Sequence, residues 1–210
     1  MNAGGPRDDI RRGIIGGTFD PPHLAHLALA EAARAALHLD TVLFIPAGDP
    51  WRKAGRAISP AADRLAMVRA AVQGLAWVEV SSIEIDRSGP TYTLDTVEVL
   101  AAERPGDWWF IVGEDALLDL SRWHEPQRLI ARVRLAVARR DVDGSAGPLV
   151  TPELRAALPG IEDRVDEVPM PRMDISATDI RARVVEGRST DGLLSEAVRT
   201  YIDAHGLYRA

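Results

Sequence analysis

"RRGIIGGTFDPPHLAHLALAEAARAALHL", running from Arg11 to Leu39, holds three different kinds of chain in succession. Its first seven residues form a short apolar run of the sort that fills a buried strand. From His23 onward the segment is rich in Ala and Leu at helical spacing. The turn that joins them, Gly16 to His26, overlaps both and holds two glycines, a carboxylate, two prolines and two histidines. A strand, a glycine turn and a helix in that order open an α/β unit.

The same alternation continues along the chain. "TVLFIPAG" reads as a second strand, ended by Pro46 and Gly48. "SPAADRLAMVRAAVQG" reads as a helix with Ser59 at its N-cap, Pro60 at its first position and Gly74 beyond its end. "WVEVSSIEI" then predicts a strand, Thr93 to Glu103 a helix, "WWFIVG" a strand, Glu125 to Arg132 a helix and "RLAVARR" a strand. A Pro/Gly-rich connection follows from Asp141 to Gly160, with a short helix near Pro152 to Leu158. A last strand near Asp163 to Val168 precedes helices starting at about Ser176 and Ser195. Strands that alternate with helices of this length predict a parallel sheet with right-handed crossovers.

In such a sheet, ligands bind beyond the carboxyl ends of the strands, near the point where strand order reverses. Four turns qualify: Gly16 to His26, Pro46 to Lys53, Gly113 to Asp115, and Met173 to Arg181. Composition narrows the tenants. At 210 residues and 46% apolar, the chain carries one substantial core. A formal charge of −6 argues against broad nucleic-acid binding. With no cysteine, there is neither a disulfide framework nor a thiolate metal site. No stretch resembles a signal peptide or approaches the ~20 apolar residues of a membrane span. The expectation is a soluble, cytoplasmic protein that binds no membrane, with residues 1–10 a disordered N-terminus and residues 11–210 one domain.

Gly16 and Gly17 bring backbone N–H groups close to a ligand, and the helix that follows aims its positive end at the same place. Taken alone, the pair also reads as an ordinary tight turn. The spacing matches neither G-x-G-x-x-G nor G-x-x-x-x-G-K-[ST], which sets dinucleotide-dependent hydride transfer and P-loop chemistry aside. His23 and His26, three apart on a helix, share a face and can both donate to phosphate oxygens. Zinc ligation is the competing reading, but a third protein ligand is not supplied nearby. Lys53 is the sole lysine of the chain and follows the second strand. In "ISATDIR", Ser176 is an N-cap, Thr178 lies in the first turn and Arg181 reaches back toward the same end, forming a second anion cradle. That stretch equally fits a capping-box variant.

"GGTFDPPHLAH" resembles the phosphate-binding turn of the nucleotidylyltransferase α/β phosphodiesterase superfamily, with its H-x-G-H or T-x-G-H pattern. Within it the chain resembles the nicotinate-nucleotide adenylyltransferases. "GDPWRK", "GPTYTLDT", "GEDALLDLSRWHE", "ISATDIR" and "YIDAHGLYR" resemble further segments of that family in the family's order. The resemblance implies a Rossmann-like nucleotidyltransferase fold, a doubly wound parallel sheet in one domain with C-terminal helices. It implies ATP and nicotinate mononucleotide as substrates, with Mg²⁺ travelling on the ATP, no protein metal site, and a homo-oligomer as one possible assembly.

Carried over residue by residue, the resemblance places His23, His26, Lys53 and Arg181 around the reacting phosphates. Gly16, Gly17, Thr18 and Phe19 would line the site through their backbones, and Ser176 and Thr178 would contact ATP phosphates. Trp123 would stack on the pyridine ring, with Thr93 and His124 beside it and Asp115 on a ribose. Two rivals remain: adenylylation of nicotinamide mononucleotide or another phosphate monoester, and a nucleotide-binding module without turnover. The family usually has glycine between the two histidines; this chain has Ala25, which adds a methyl where adenosine packs.

Overall fold

The structure, a computed structural model, describes residues 10–48, 58–139 and 147–209. Six parallel strands form one sheet: β1 (Arg11–Gly17), β2 (Thr41–Pro46), β3 (Val78–Val80), β4 (Asp107–Gly113), β5 (Arg134–Arg139) and β6 (Val165–Pro169). Their order across the sheet is β3-β2-β1-β4-β5-β6. The helices are α1 (Leu24–Leu37), α2 (Ala61–Ala71), α3 (Thr93–Glu103), α4 (Glu114–Leu118), α5 (Pro126–Arg132), α6 (Pro152–Ala157), α7 (Ala177–Val185) and α8 (Glu196–His205).

Strand periodicity assigns every apolar side chain to one of two faces. Ile14, Leu43, Ile45, Trp108, Phe110, Val112, Leu135 and Val137 meet Leu94, Val97 and Leu100 of α3 and Leu129 and Ile130 of α5 on one side. Ile15, Val42, Phe44, Trp109, Ile111 and Ala136 meet Ala30 and Ala33 of α1 and Val68 of α2 on the other. Burial on both faces explains why these strands read as continuous apolar runs. A third cluster joins Met67 of α2, Ile180 of α7 and Val198 and Ile202 of α8, which fastens the C-terminal helices to the sheet's α2 side.

The chain reverses direction across the sheet at β1. From β1 it crosses by α1 to β2 over one face, and from β3 it crosses by α3 to β4 over the other. A crevice therefore opens between the carboxyl ends of β1 and β4, where the two crossovers part.

Three sequence expectations shift. The strand expected over "WVEVSSIEI" stops at Val80, since β3 is an edge strand with one neighbour. After the Ser81 N–H donates to the Phe44 carbonyl at 3.0 Å, the chain leaves the sheet in a turn closed by Ser82 and Asp86, whose side chains meet at 2.6 Å. The α2 helix begins one residue late: its first bond runs from the Arg64 N–H to the Pro60 carbonyl, so Pro60 occupies the cap and the Ser59 N–H turns to Asp20 instead. The short α4 helix, within "GEDALLDLSRWHE", has no sequence counterpart. Residues 1–9, most of the expected disordered N-terminus, lie outside the described residues.

Two glycines pack against different kinds of neighbour. A Cβ on Gly13 would meet Ile111 Cδ1 at 2.7 Å and Leu39 Cδ1 at 2.9 Å, the movable ends of side chains. A Cβ on Gly48 would meet the Glu84 carbonyl oxygen at a distance no real Cβ keeps, and that oxygen is backbone. Gly48→Ala is expected to cost about 1–3 kcal/mol of unfolding free energy, and Gly13→Ala less. Urea unfolding of both variants, with the order reversed, would contradict this reading.

Candidate active site

The turn after β1 is built around Phe19, which adopts φ 51° and sends its ring into the core. That ring packs on Phe44, with centroids 5.7 Å apart, and edge-on against His26 at 4.9 Å. The Asp20–Pro21 peptide is cis. His23 then caps α1 in an extended conformation, and its N–H donates to His26 Nδ1 at 3.1 Å. Because Nδ1 of His26 is an acceptor, its ring proton in the neutral form resides on Nε2. The two imidazoles stack with centroids 3.7 Å apart, the shared face that their spacing predicts. Burial lowers the His23 pKa to about 4, so this ring is neutral at physiological pH.

A cavity of about 700 Å³ occupies the crevice. Gly16, Gly17, Thr18, His23, Ala25 and His26 line one side of it, and Met173 and Ile175, immediately before α7, line another. The amino ends of α1 and α7 thus border one space. Ser176 caps α7, accepting the Asp179 N–H at 3.1 Å. Arg181 donates to the Asp20 carbonyl at 2.7 Å and to Thr178 Oγ1 at 3.4 Å, bridging the two helix starts.

Tyr92, Thr93, Trp123 and His124 line the same cavity. Trp123 stands edge-on to Phe110 at 5.7 Å, and its buried Nε1 has no protein partner. The His124 ring stacks on Tyr92 at 4.2 Å, while its Nε2 lies 3.2 Å from Glu125. An aromatic wall beside an unsatisfied indole N–H suits a flat ring that carries an acceptor.

Some sequence-selected residues sit elsewhere. Phe19 is buried beneath the turn, where it supports His26. Asp115 is exposed on the first turn of α4, outside the cavity lining. Ser176, Thr178 and Arg181 adjoin the lining without forming part of it. Lys53 lies outside the described residues, as does all of "GDPWRK" after Gly48. Trp108 and Trp109, within the expected strand "WWFIVG", are buried on opposite faces of β4.

Sequence reasoning missed Glu84, Thr91, Thr96 and the wall of Met170 and Pro171. Glu84 accepts from Thr96 Oγ1 at 2.9 Å, and burial raises its pKa. Its only signal was a carboxylate inside an expected strand; the early exit of the chain from β3 is what turns it toward the cavity.

A parallel sheet in this order, with a glycine turn, paired imidazoles and a helix start facing one cavity, defines a nucleotide-binding α/β protein. The chain belongs to the cytidylyltransferase-like family, which matches residues 14–183. It is 47% identical to a "Probable nicotinate-nucleotide adenylyltransferase" of Roseiflexus sp. (strain RS-1), over 94% of this chain and 97% of the relative. It is 44% identical to a protein of the same name from Dehalococcoides mccartyi (strain 195), over 95% and 97% of the respective chains. Its fold is similar to that of Plasmodium falciparum nicotinic acid mononucleotide adenylyltransferase complexed with NaAD, with a TM-score of 0.73 at 16% identity, covering 95% and 97% of the two chains. Among the described residues, no helix is long and apolar enough to cross a membrane.

Proposed function

We infer that the cavity holds ATP and nicotinate mononucleotide together and that the chain is an adenylyltransferase of NAD biosynthesis. The 5′-phosphate of the mononucleotide attacks the α-phosphorus of ATP in line. A P–O bond forms there as the bond to the β-phosphate oxygen breaks, yielding nicotinate adenine dinucleotide and pyrophosphate. No covalent enzyme intermediate is required, and the protein contributes positioning and charge. The observation that carries this reading is the convergence of the His23 and Ser176 helix starts on one cavity whose lining also includes Trp123.

In this reading the backbone of Gly16, Gly17 and Thr18 and the rings of His23 and His26 face phosphate oxygens. Ser176, Thr178 and Arg181 bind the triphosphate from the other side, with Lys53 adding charge and Asp115 meeting a ribose. Trp123 stacks on the pyridine, flanked by Thr93 and His124. Mg²⁺ accompanying the ATP would neutralise part of the triphosphate charge, beside the cation of Arg181. A cytoplasmic setting supplies both nucleotides.

The deciding experiment is pyrophosphate release from ATP and Mg²⁺ with nicotinate mononucleotide, run beside nicotinamide mononucleotide. Faster turnover of the amide would reassign the acceptor, and no release with either would end the proposal. Trp123→Ala is expected to raise KM for the pyridine mononucleotide roughly 10- to 100-fold, as loss of ~1–3 kcal/mol of ring stacking would, with KM for ATP little changed. A variant with equal changes in both KM values would place Trp123 outside the pyridine subsite.

A further inference from the structure

Arg64, on α2, is the largest fully buried side chain among the described residues, at 2% exposure. It lies outside the cavity lining, and its guanidinium is committed to backbone carbonyls. Its guanidinium donates to three carbonyls from three separate segments: Thr18 at 2.9 Å, Gly48 at 3.1 Å and Ser59 at 3.0 Å. A buried cation is costly unless its surroundings satisfy it, and here backbone oxygens do so along with the neighbouring Asp20 carboxylate.

Asp20 is itself 5% exposed and belongs to the same turn as Thr18. Its Oδ2 accepts the Ser59 N–H at 3.3 Å, and its Oδ1 accepts the hydroxyl of Tyr208 at 2.7 Å. Tyr208 comes from the C-terminal "YIDAHGLYR" segment, 188 residues away in sequence. Burial and the Asp20 carboxylate raise the Tyr208 pKa, so the phenol keeps its proton and remains the donor. The Asp20 carbonyl, in turn, receives Arg181.

Backbone strain points the same way. Among the described residues, Phe19 and Tyr208 are two of four non-glycine residues with positive φ, at 51° and 63°. Asp20 adjoins the first in sequence and hydrogen-bonds the second. Conformations of that kind persist where neighbouring contacts over-determine them.

We propose that Arg64 and Tyr208 are positioning residues for ATP: they clamp Thr18 and Asp20 on either side of Phe19, and through the Asp20 carbonyl they fix where Arg181 stands. This rests on the adenylyltransferase reading for its substrate. The C-terminal segment thereby becomes part of the nucleotide site's support, and the pyridine subsite on α3 and at Trp123 is independent of it.

The test compares Tyr208→Phe and Arg64→Lys with Tyr201→Phe. Tyr201 also lies near the C-terminus and donates to a carboxylate on α2, Asp63 at 2.9 Å, rather than to Asp20. Lysine keeps the charge of Arg64 but has one nitrogen where the fork serves three carbonyls. For Tyr208→Phe and Arg64→Lys, KM for ATP is expected to rise about 10-fold and kcat to fall by a similar factor, with KM for nicotinate mononucleotide within about twofold. Tyr201→Phe is expected to leave all three constants near wild type. A purely structural contribution would lower thermal stability in all three variants without separating ATP from the mononucleotide. Calorimetric ATP affinity, measured in parallel, reads the positioning even if wild type releases no pyrophosphate, an outcome that would count against the adenylyltransferase reading alone. Tyr208→Phe with wild-type ATP affinity overturns the proposal, and so does a Tyr201→Phe variant that matches it.

Discussion

His26→Ala is expected to lower kcat by about 10²- to 10³-fold with both substrates saturating, roughly 3–4 kcal/mol of transition-state stabilisation. The size follows from how the ring is held. Its Nδ1 is occupied by the His23 N–H at 3.1 Å, one face rests on His23 at 3.7 Å, and Phe19 meets it edge-on at 4.9 Å. A ring held on three sides is oriented before substrate arrives, so in the proposed reaction charge developing on the phosphate oxygens would meet a donor that need not reorganise. The fold should survive, since alanine favours the helix and Phe19 remains buried. Steady-state pyrophosphate release, with circular dichroism to confirm folding, measures the effect. An unchanged kcat in a folded variant removes His26 from the reacting centre.

The second large effect concerns His23 and acid stability. Its pKa is about 4 in the folded protein against 6.5 for an unperturbed histidine. Above pH 6.5 the ring is neutral whether the chain is folded or not, and it adds no pH dependence. As pH falls from 6.5 to 4, the unfolded chain takes up a proton that the folded chain refuses, so stability declines and the loss is complete below pH 4. The full difference is about 3 kcal/mol. Glutamine carries no titrating proton, so His23→Gln should flatten the slope of unfolding free energy over that window. Urea unfolding of both proteins at several pH values provides the check, and parallel curves would show that the histidine is not desolvated. The same neutrality bears on ligand binding. A polyphosphate beside His23 favours its charged form, so ATP binding near pH 6 should take up protons from the buffer.

Much of this architecture was legible in the chain. The apolar runs at Ile14, Phe44, Phe110 and Val137 are strands because residues buried on both faces of a sheet have no polar alternation. The Ala/Leu period after His23 is a helix for the converse reason. The i, i+3 spacing of His23 and His26 already placed two imidazoles on one face. Strand β3 misled because an edge strand's length depends on its neighbour: its residues have good strand character as far as Ile85, but the turn at Ser82 and Asp86 takes over. Glu84 went unnoticed for the same reason.

The local code of the sequence therefore determined most of the elements, their order and the turns at the carboxyl ends of the strands, since period, caps and glycines act over a few positions. Tertiary structure alone decided which turns share a cavity, because strand order arises from pairings between segments far apart in the chain. It alone revealed that Arg64 and Tyr208 hydrogen-bond the turn after β1. An arginine on a helix and a tyrosine near the C-terminus are unremarkable until folding brings them against the same three-residue stretch, Thr18 to Asp20.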